Sequence, residues 1–194
     1  MSILDPMKAR LAKDLEPILA LPDPRTKLSA YHDMPYAIFR YDPAEEFELR
    51  REVGMLETRL TQKGKRIIRV SLAECLDEAM RSIHPLEEWF AVEREMGTGT
   101  VVETIHNVLS DYVPLVDLVE QRLPPDQDPL QDVVFILRTG SLFPFYRTFS
   151  LLEQLKGRVA APSVLFYPGT LDGPSGLRFM GVLEAEHNYR PKIF

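Results

Sequence analysis

Residues 132–155 read DVVFILRTGSLFPFYRTFSLLEQL, and residues 161–194 read APSVLFYPGTLDGPSGLRFMGVLEAEHNYRPKIF. Val133–Leu137 and Ser163–Phe166 are short apolar runs without strict alternation, as expected of central strands covered on both faces. Between them an aromatic turn, Arg138–Arg147, leads into a helix over Phe145–Lys156. Strand, helix, strand in this order is the unit of a parallel sheet. The DGPSG turn at 172–176 allows an antiparallel hairpin to a fifth strand at Phe179 and Gly181–Leu183.

The same alternation runs upstream. Leu4, Met7, Leu11, Leu15, Ile18 and Leu19 form one apolar stripe, predicting a helix over Leu4–Leu21 that Pro17 kinks or ends early and that Pro22 and Pro24 stop. Tyr36–Tyr41 reads as the first strand. Ala44–Gln62 reads as a helix opening on Glu45, Glu46 and Glu48, with Phe47, Val53, Leu56 and Leu60 as its buried side. Lys63-Gly64-Lys65 turns into a second strand, Arg66–Val70. Ser71 and Glu74 match a capping box opening the helix that carries Cys75. After Pro85 a helix continues through Trp89 and Phe90. Thr100 and Glu103 match a second capping box, ahead of an amphipathic stretch from Val101 to Leu123 that Pro114 kinks or divides. A proline-rich connector, Pro124–Asp132, leads back to the opening strand.

These elements predict a three-layer α/β/α fold with a mostly parallel sheet of about five strands, in P-loop-like order but without a Walker A motif. The expected organisation is a single domain over 1–194, with an N-terminal helix in 1–22 and a helical insertion, 85–123, between strands two and three. At 194 residues and 45% hydrophobic, such a domain buries roughly 70% of its unfolded surface and needs no disulfide to hold a core. The single cysteine, Cys75, cannot form an internal bridge. No signal peptide is read ahead of Leu4 and no membrane span anywhere, so a cytoplasmic protein is expected. The net charge of −6 argues against a protein that coats nucleic acid by charge. Residues 133–194 nevertheless hold seven basic and four acidic side chains, a mildly basic third on an acidic protein.

The loop after strand one, YDPAEEFEL, has no glycine to let backbone N–H groups cradle phosphates, and its glutamates repel a nucleotide triphosphate. Asp42, Glu45 and Glu46 suit helix capping and the helix dipole better than a metal. His32, His84, His106 and His187 show no metal-ligand spacing. Ser141 lacks the nucleophile elbow G-x-S-x-G. The expectation is therefore no catalytic residue, no metal, no cofactor and no enzymatic activity. What remains is the aromatic turn, where Arg138, Phe143, Phe145, Tyr146 and Arg147 have the composition of an interface hot spot. The same rings also suit a cap folded back onto the core. The tail His187, Asn188, Tyr189 and Arg190 reads either as a second contact element or as an arm crossing the domain surface. Contact is the reading adopted for both.

RTGSLFPFYRTFSLLEQLKG, PSVLFYPG, LRFMG and HNYRPKIF resemble the BrxB family of bacterial BREX phage-exclusion systems, and the length and N-terminal layout agree. The resemblance implies a cytosolic component of an antiphage defence island that blocks phage DNA replication while host DNA is methylated. It implies a non-catalytic scaffold subunit binding PglZ, a protein of the alkaline-phosphatase superfamily, alongside other BREX components. The alternative is a degenerate nucleotide- or nucleic-acid-binding protein of the same pathway. Direct DNA binding rests only on the local basic charge and is not the expectation.

Overall fold

The computed structural model describes residues 6–29, 34–174, 176–187 and 189–194. The fold is α/β: a mostly parallel sheet flanked by helices on both faces. The chain opens with α1 (Pro6–Arg10), a π-helical turn (Leu11–Leu15), α2 (Glu16–Leu19) and α3 (Arg25–Leu28). Then follow β1 (Tyr36–Tyr41), α4 (Glu46–Gln62), β2 (Arg66–Ser71) and α5 (Leu72–Ile83). Next come α6 (Leu86–Met96), α7 (Thr98–Asn107), a second π-helical turn (Val108–Tyr112) and α8 (Leu115–Glu120). The last third contributes β3 (Asp132–Leu137), α9 (Thr148–Gln154), β4 (Ser163–Asp172), β5 (Gly176–Phe179) and β6 (Lys192–Ile193).

The strand order is β2-β3-β4-β1-β6. β4 is parallel to both β3 and β1 over its first half, and β1 is parallel to β6. The second half of β4 turns to an antiparallel pair with β5, Gly169 opposite Phe179. That approach demands glycine: a Cβ on Gly169 would sit 2.3 Å from the Arg178 carbonyl oxygen.

Side chains alternate strictly between two cores. Tyr36 and Ile38, Val134 and Ile136, and Leu165 and Tyr167 face the core built with α5 to α9. Ala37, Phe39 and Tyr41, Val133 and Phe135, and Val164 and Phe166 face the core built with the N-terminal helices and α4. Both parities being apolar is why the central strands read as unbroken runs. Phe166 is the hub of the second core, with Phe39 and Phe135 at ring distances of 5.8 and 5.3 Å. Burying a ring of this kind is worth about 1.5–3 kcal/mol. β2 sits at the sheet edge with Arg66 and Arg69 exposed, which discourages further strand pairing.

Several local expectations are corrected. Residue 4 lies outside the described residues, and the first helix is seen from Pro6. Pro17 follows a π-helical turn in which Glu16 N–H reaches the Leu11 carbonyl, and the helix ends at Leu19, two residues before Leu21. Pro114, by contrast, divides its segment as expected: the second π-helical turn ends at Tyr112, Val113 N–H reaches the Val108 carbonyl, and α8 starts at Leu115. Phe47 is 80% exposed, because Leu49, Val53, Leu56 and Leu60 define the buried face of α4. Instead the Arg50 guanidinium lies 5.2 Å from the Phe47 ring centre. The Ser71 cap is present, its Oγ accepting from Glu74 N–H at 3.4 Å. Thr100 is not a cap: α7 begins at Thr98, and Thr100 Oγ1 donates to the Met96 carbonyl inside the turn. β5 lies earlier than expected, since Met180 with φ 54° ends it before Gly181.

Two carboxylates, one between helices and one within the sheet, hold ion pairs. Glu16 accepts from Arg59 Nε and Lys63 Nζ, both at 2.8 Å, tying α2 to α4. Asp132, fully buried, accepts from Arg66 Nε at 2.6 Å, Arg66 Nη2 at 2.8 Å and Asp128 N–H at 2.8 Å. The Arg66 hydrogen bonds hold the Asp132 carboxyl below its ordinary value, with the Asp128 amide adding to the effect. A depressed folded-state pKa gives stability that is present above the unfolded pKa of about 3.9 and is lost as pH falls through the lower folded value. Asp132→Asn is therefore expected to cost about 1–3 kcal/mol at neutral pH, with the deficit shrinking towards pH ~3. Urea midpoints at the two pH values check this; equal midpoints for both proteins at neutral pH contradict it.

Candidate functional site

The aromatic turn is held by its own backbone. Arg138 adopts φ 60°, ψ 33°, a left-handed conformation. Its carbonyl accepts from Ser141 N–H at 3.1 Å and Ser141 Oγ at 2.7 Å, closing a 3-10 turn over Thr139–Leu142. Leu142 and Tyr146 are the anchors, 0% and 3% exposed. Tyr146 Oη accepts from Gln154 Nε2 at 3.0 Å, and burial raises its pKa although that bond opposes the shift. His106 on α7 donates from Nδ1 to the Phe145 carbonyl at 2.9 Å, its ring 5.8 Å from Tyr146. Phe143 is half-buried and meets Phe179 edge-on at 6.0 Å. Tyr146 thus caps the core, whereas Arg138, Phe145 and Arg147 keep exposed surface.

The tail is structural over most of its length. Tyr189 is 6% exposed, its ring 5.5 Å from Phe149 and 6.3 Å from Tyr167. Its hydroxyl donates to Glu186 at 2.8 Å, and burial pushes its pKa far up. The same glutamate lies 3.4 Å from Arg147 Nη1. Beyond it, β6 pairs with β1, and Phe194 N–H donates to the Ile38 carbonyl at 2.8 Å. His187 is exposed, 3.3 Å from Asp172, and Arg190 is exposed. Asn188 lies outside the described residues.

The sequence-derived set therefore divides three ways. Arg147, His187 and Tyr189 border the β4–β5 hairpin and the tail. Phe145 lines an apolar groove of about 210 Å³ with Met80, Trp89, Phe90, Val101 and Ile105. Among its lining residues Phe90 is 54% exposed. Arg138 belongs to the opposite end of the turn, at the carboxyl ends of the strands. There two adjoining cavities of about 250 and 230 Å³ share Glu46, Arg50 and Arg138 in their linings. This is where α/β sheets commonly hold ligands, since the connection after β1 covers one face and those after β2 and β3 the other.

Electrostatically, Glu46 is the hub of that end. It accepts from buried Tyr41 Oη and from Arg50 Nε at 2.8 Å, with Arg138 Nε at 3.8 Å. Burial, then Glu46, raises the Tyr41 pKa. Asp42 caps the 3-10 turn before α4 and shares a capping box with Glu45. Among the described residues no group of three or more His, Cys, Asp or Glu side chains is placed to hold a metal ion. The Cys75 thiol is buried, which pushes its pKa up to about 11 and disfavours the nucleophilic thiolate. No described helix is long and apolar enough to cross a membrane.

A family model described as BREX protein BrxB matches residues 68–193. The chain belongs to the BrxB family. It is also 27% identical over 164 residues to a BREX protein BrxB of Bacillus cereus (strain H3081.97), covering 82% of each chain. No solved structure matches. The BrxB match takes in the aromatic turn, the groove and the tail, whereas Glu46 and Arg50 precede it.

Sequence reasoning missed Phe90 and Met96 as exposed apolar residues, because a helix stripe does not reveal which apolar side chains its partner leaves uncovered. It also missed the joining of Glu46, Arg50 and Arg138, which stand far apart in sequence. Two substitutions separate cap from surface in this BrxB-family chain. Tyr146→Ala is expected to cost about 3–5 kcal/mol and Phe145→Ala no more than about 2 kcal/mol, read by chemical denaturation. Equal losses contradict the division.

Proposed function

We propose that this chain is a non-catalytic, partner-binding subunit of a BREX antiphage defence system, and that its companion is a PglZ-type protein of the alkaline-phosphatase superfamily. Family membership supports the pathway. The observation that carries the binding role is the apolar groove between α6, α7 and the aromatic turn. Phe90 stands 54% exposed among its lining residues, and Phe145 lines it as well. Exposed aromatics around a concavity have the make-up of an interface centre, where a few large side chains supply most of the binding energy.

Charge supports a groove-centred contact over a nucleic-acid face. Among the seven basic side chains of the last third, Arg158 is met by Asp117 and Glu120, Arg147 by Glu186 and Arg178 by Asp172, all carboxylates of this same chain. Such pairing reduces the positive charge available to drive phosphate-backbone binding.

Co-expression with the PglZ-type companion followed by size-exclusion chromatography is expected to give one co-eluting complex. Phe90→Glu should weaken it by about 2 kcal/mol, roughly thirty-fold in Kd, while leaving the melting temperature of the free chain unchanged. Separate elution at micromolar concentration, or full affinity in Phe90→Glu, rules out this reading.

A further inference from the structure

The two cavities at the carboxyl ends of the strands have a polar and an apolar side. In the first, Leu49, Val53 and Leu137 are the apolar lining residues, and Arg50, Arg69 and Arg138 line it together with Ser71, Glu46 and Glu74. The second continues between Arg138, Gly140, Pro168 and Met180. Taken together they reach the roughly 300–1,000 Å³ typical of small-molecule sites.

Backbone conformation singles out the same place. Among the described residues, the non-glycine residues with positive φ are Arg138 at 60° and Met180 at 54°. Both line the second cavity. Left-handed backbone disfavours side chains with a Cβ, and neither arginine nor methionine is among the residues that tolerate it best. Glycine would fit Arg138's backbone without strain, so the arginine stands there against the backbone's preference. Such outliers concentrate at ligand sites.

The arginines are also underused. Arg50 Nε at 2.8 Å and Arg138 Nε at 3.8 Å approach one oxygen, Oε1 of Glu46. The second separation is too long for a hydrogen bond. Each guanidinium carries five N–H donors, so most of this fork is uncommitted to the described residues. Glu46, whose other oxygen accepts from Tyr41 Oη, keeps its charge, so a bound anion must draw the two arginines away from it. Two guanidinium groups beside one carboxylate oxygen bring together two planar donor forks of the kind that recognises phosphate.

We propose that these adjoining cavities bind a small organic phosphate monoester, its phosphate between Arg50 and Arg138 and its organic body against Leu49, Val53 and Leu137. Binding draws Arg138 from its loose contact with Glu46 onto the ligand. This site is separate from the groove assigned to the protein partner, and neither assignment depends on the other.

Calorimetric titration of the full chain at low salt, with AMP, inorganic phosphate and adenosine as probes, tests it. The expected result is saturable one-to-one binding of AMP, about ten-fold tighter than inorganic phosphate, with no binding of adenosine. Arg138→Gly should keep or raise the melting temperature, because glycine adopts the left-handed backbone freely, yet lose at least about ten-fold in AMP affinity. Phe90→Glu should bind AMP as the parent does. The proposal is overturned if AMP does not bind at millimolar concentration, if Arg138→Gly binds it equally well, or if adenosine binds as tightly. Inorganic phosphate binding as tightly as AMP overturns the placement of the organic body.

Discussion

The pairing of β1 with β4 is the constraint on which the rest of the structure depends. Tyr36 to Tyr41 lie in register with Ser163 to Pro168, so the first strand is placed only when the last long strand is present. This insertion completes both cores at once, since alternate residues of β1 face opposite layers. It also leaves β1 with an open edge, which β6 and Phe194 cover by pairing along it. The tail is thereby explained as edge protection. Because the pairing is parallel and far apart in sequence, much chain must be ordered before it forms.

The central strands and the layer arrangement were legible because periodicity is a local signal. Val133–Leu137 and Ser163–Phe166 had to be buried on both sides, and Ser71 had to cap the helix behind it. The exposure of Phe47 was not legible, since the i, i+4, i+7 pattern starting from Leu49 decides the buried face and Phe47 falls off it. Nor was the π-helical turn ahead of Pro17. A sequence announces a missing N–H, but not whether a π turn will absorb it. The strand order needed tertiary information throughout, because each central strand is apolar on both faces and so carries no mark of its neighbour.

The site was legible in part and for the same reason. Aromatic and arginine residues clustered in one turn drew notice, yet composition cannot tell which rings point inward. Tyr146 and Tyr189 resemble Phe145 in the sequence, and only packing distinguishes the two buried hydroxyls from the half-buried ring. The convergence of Glu46, Arg50 and Arg138 is a consequence of β3 lying two strands from β1, with β4 between them. Spacing along the chain holds no trace of it.

One turn serves two surfaces, and its middle is what keeps them apart. Arg138 at one end joins the polar cavities beside α4, and Phe145 towards the other joins the apolar groove beside α6 and α7. Between them Leu142 is fully buried and Tyr146 follows at 3% exposure, held by Gln154 and stacked near His106. Anchors of this kind fix the direction of both exposed side chains without touching what either one meets. Removing Tyr146 therefore disturbs both surfaces through the fold, and a lost interaction in such a variant says nothing about where a partner sits. Substitutions at Arg138 and Phe90 do, because each alters one surface while the anchors remain.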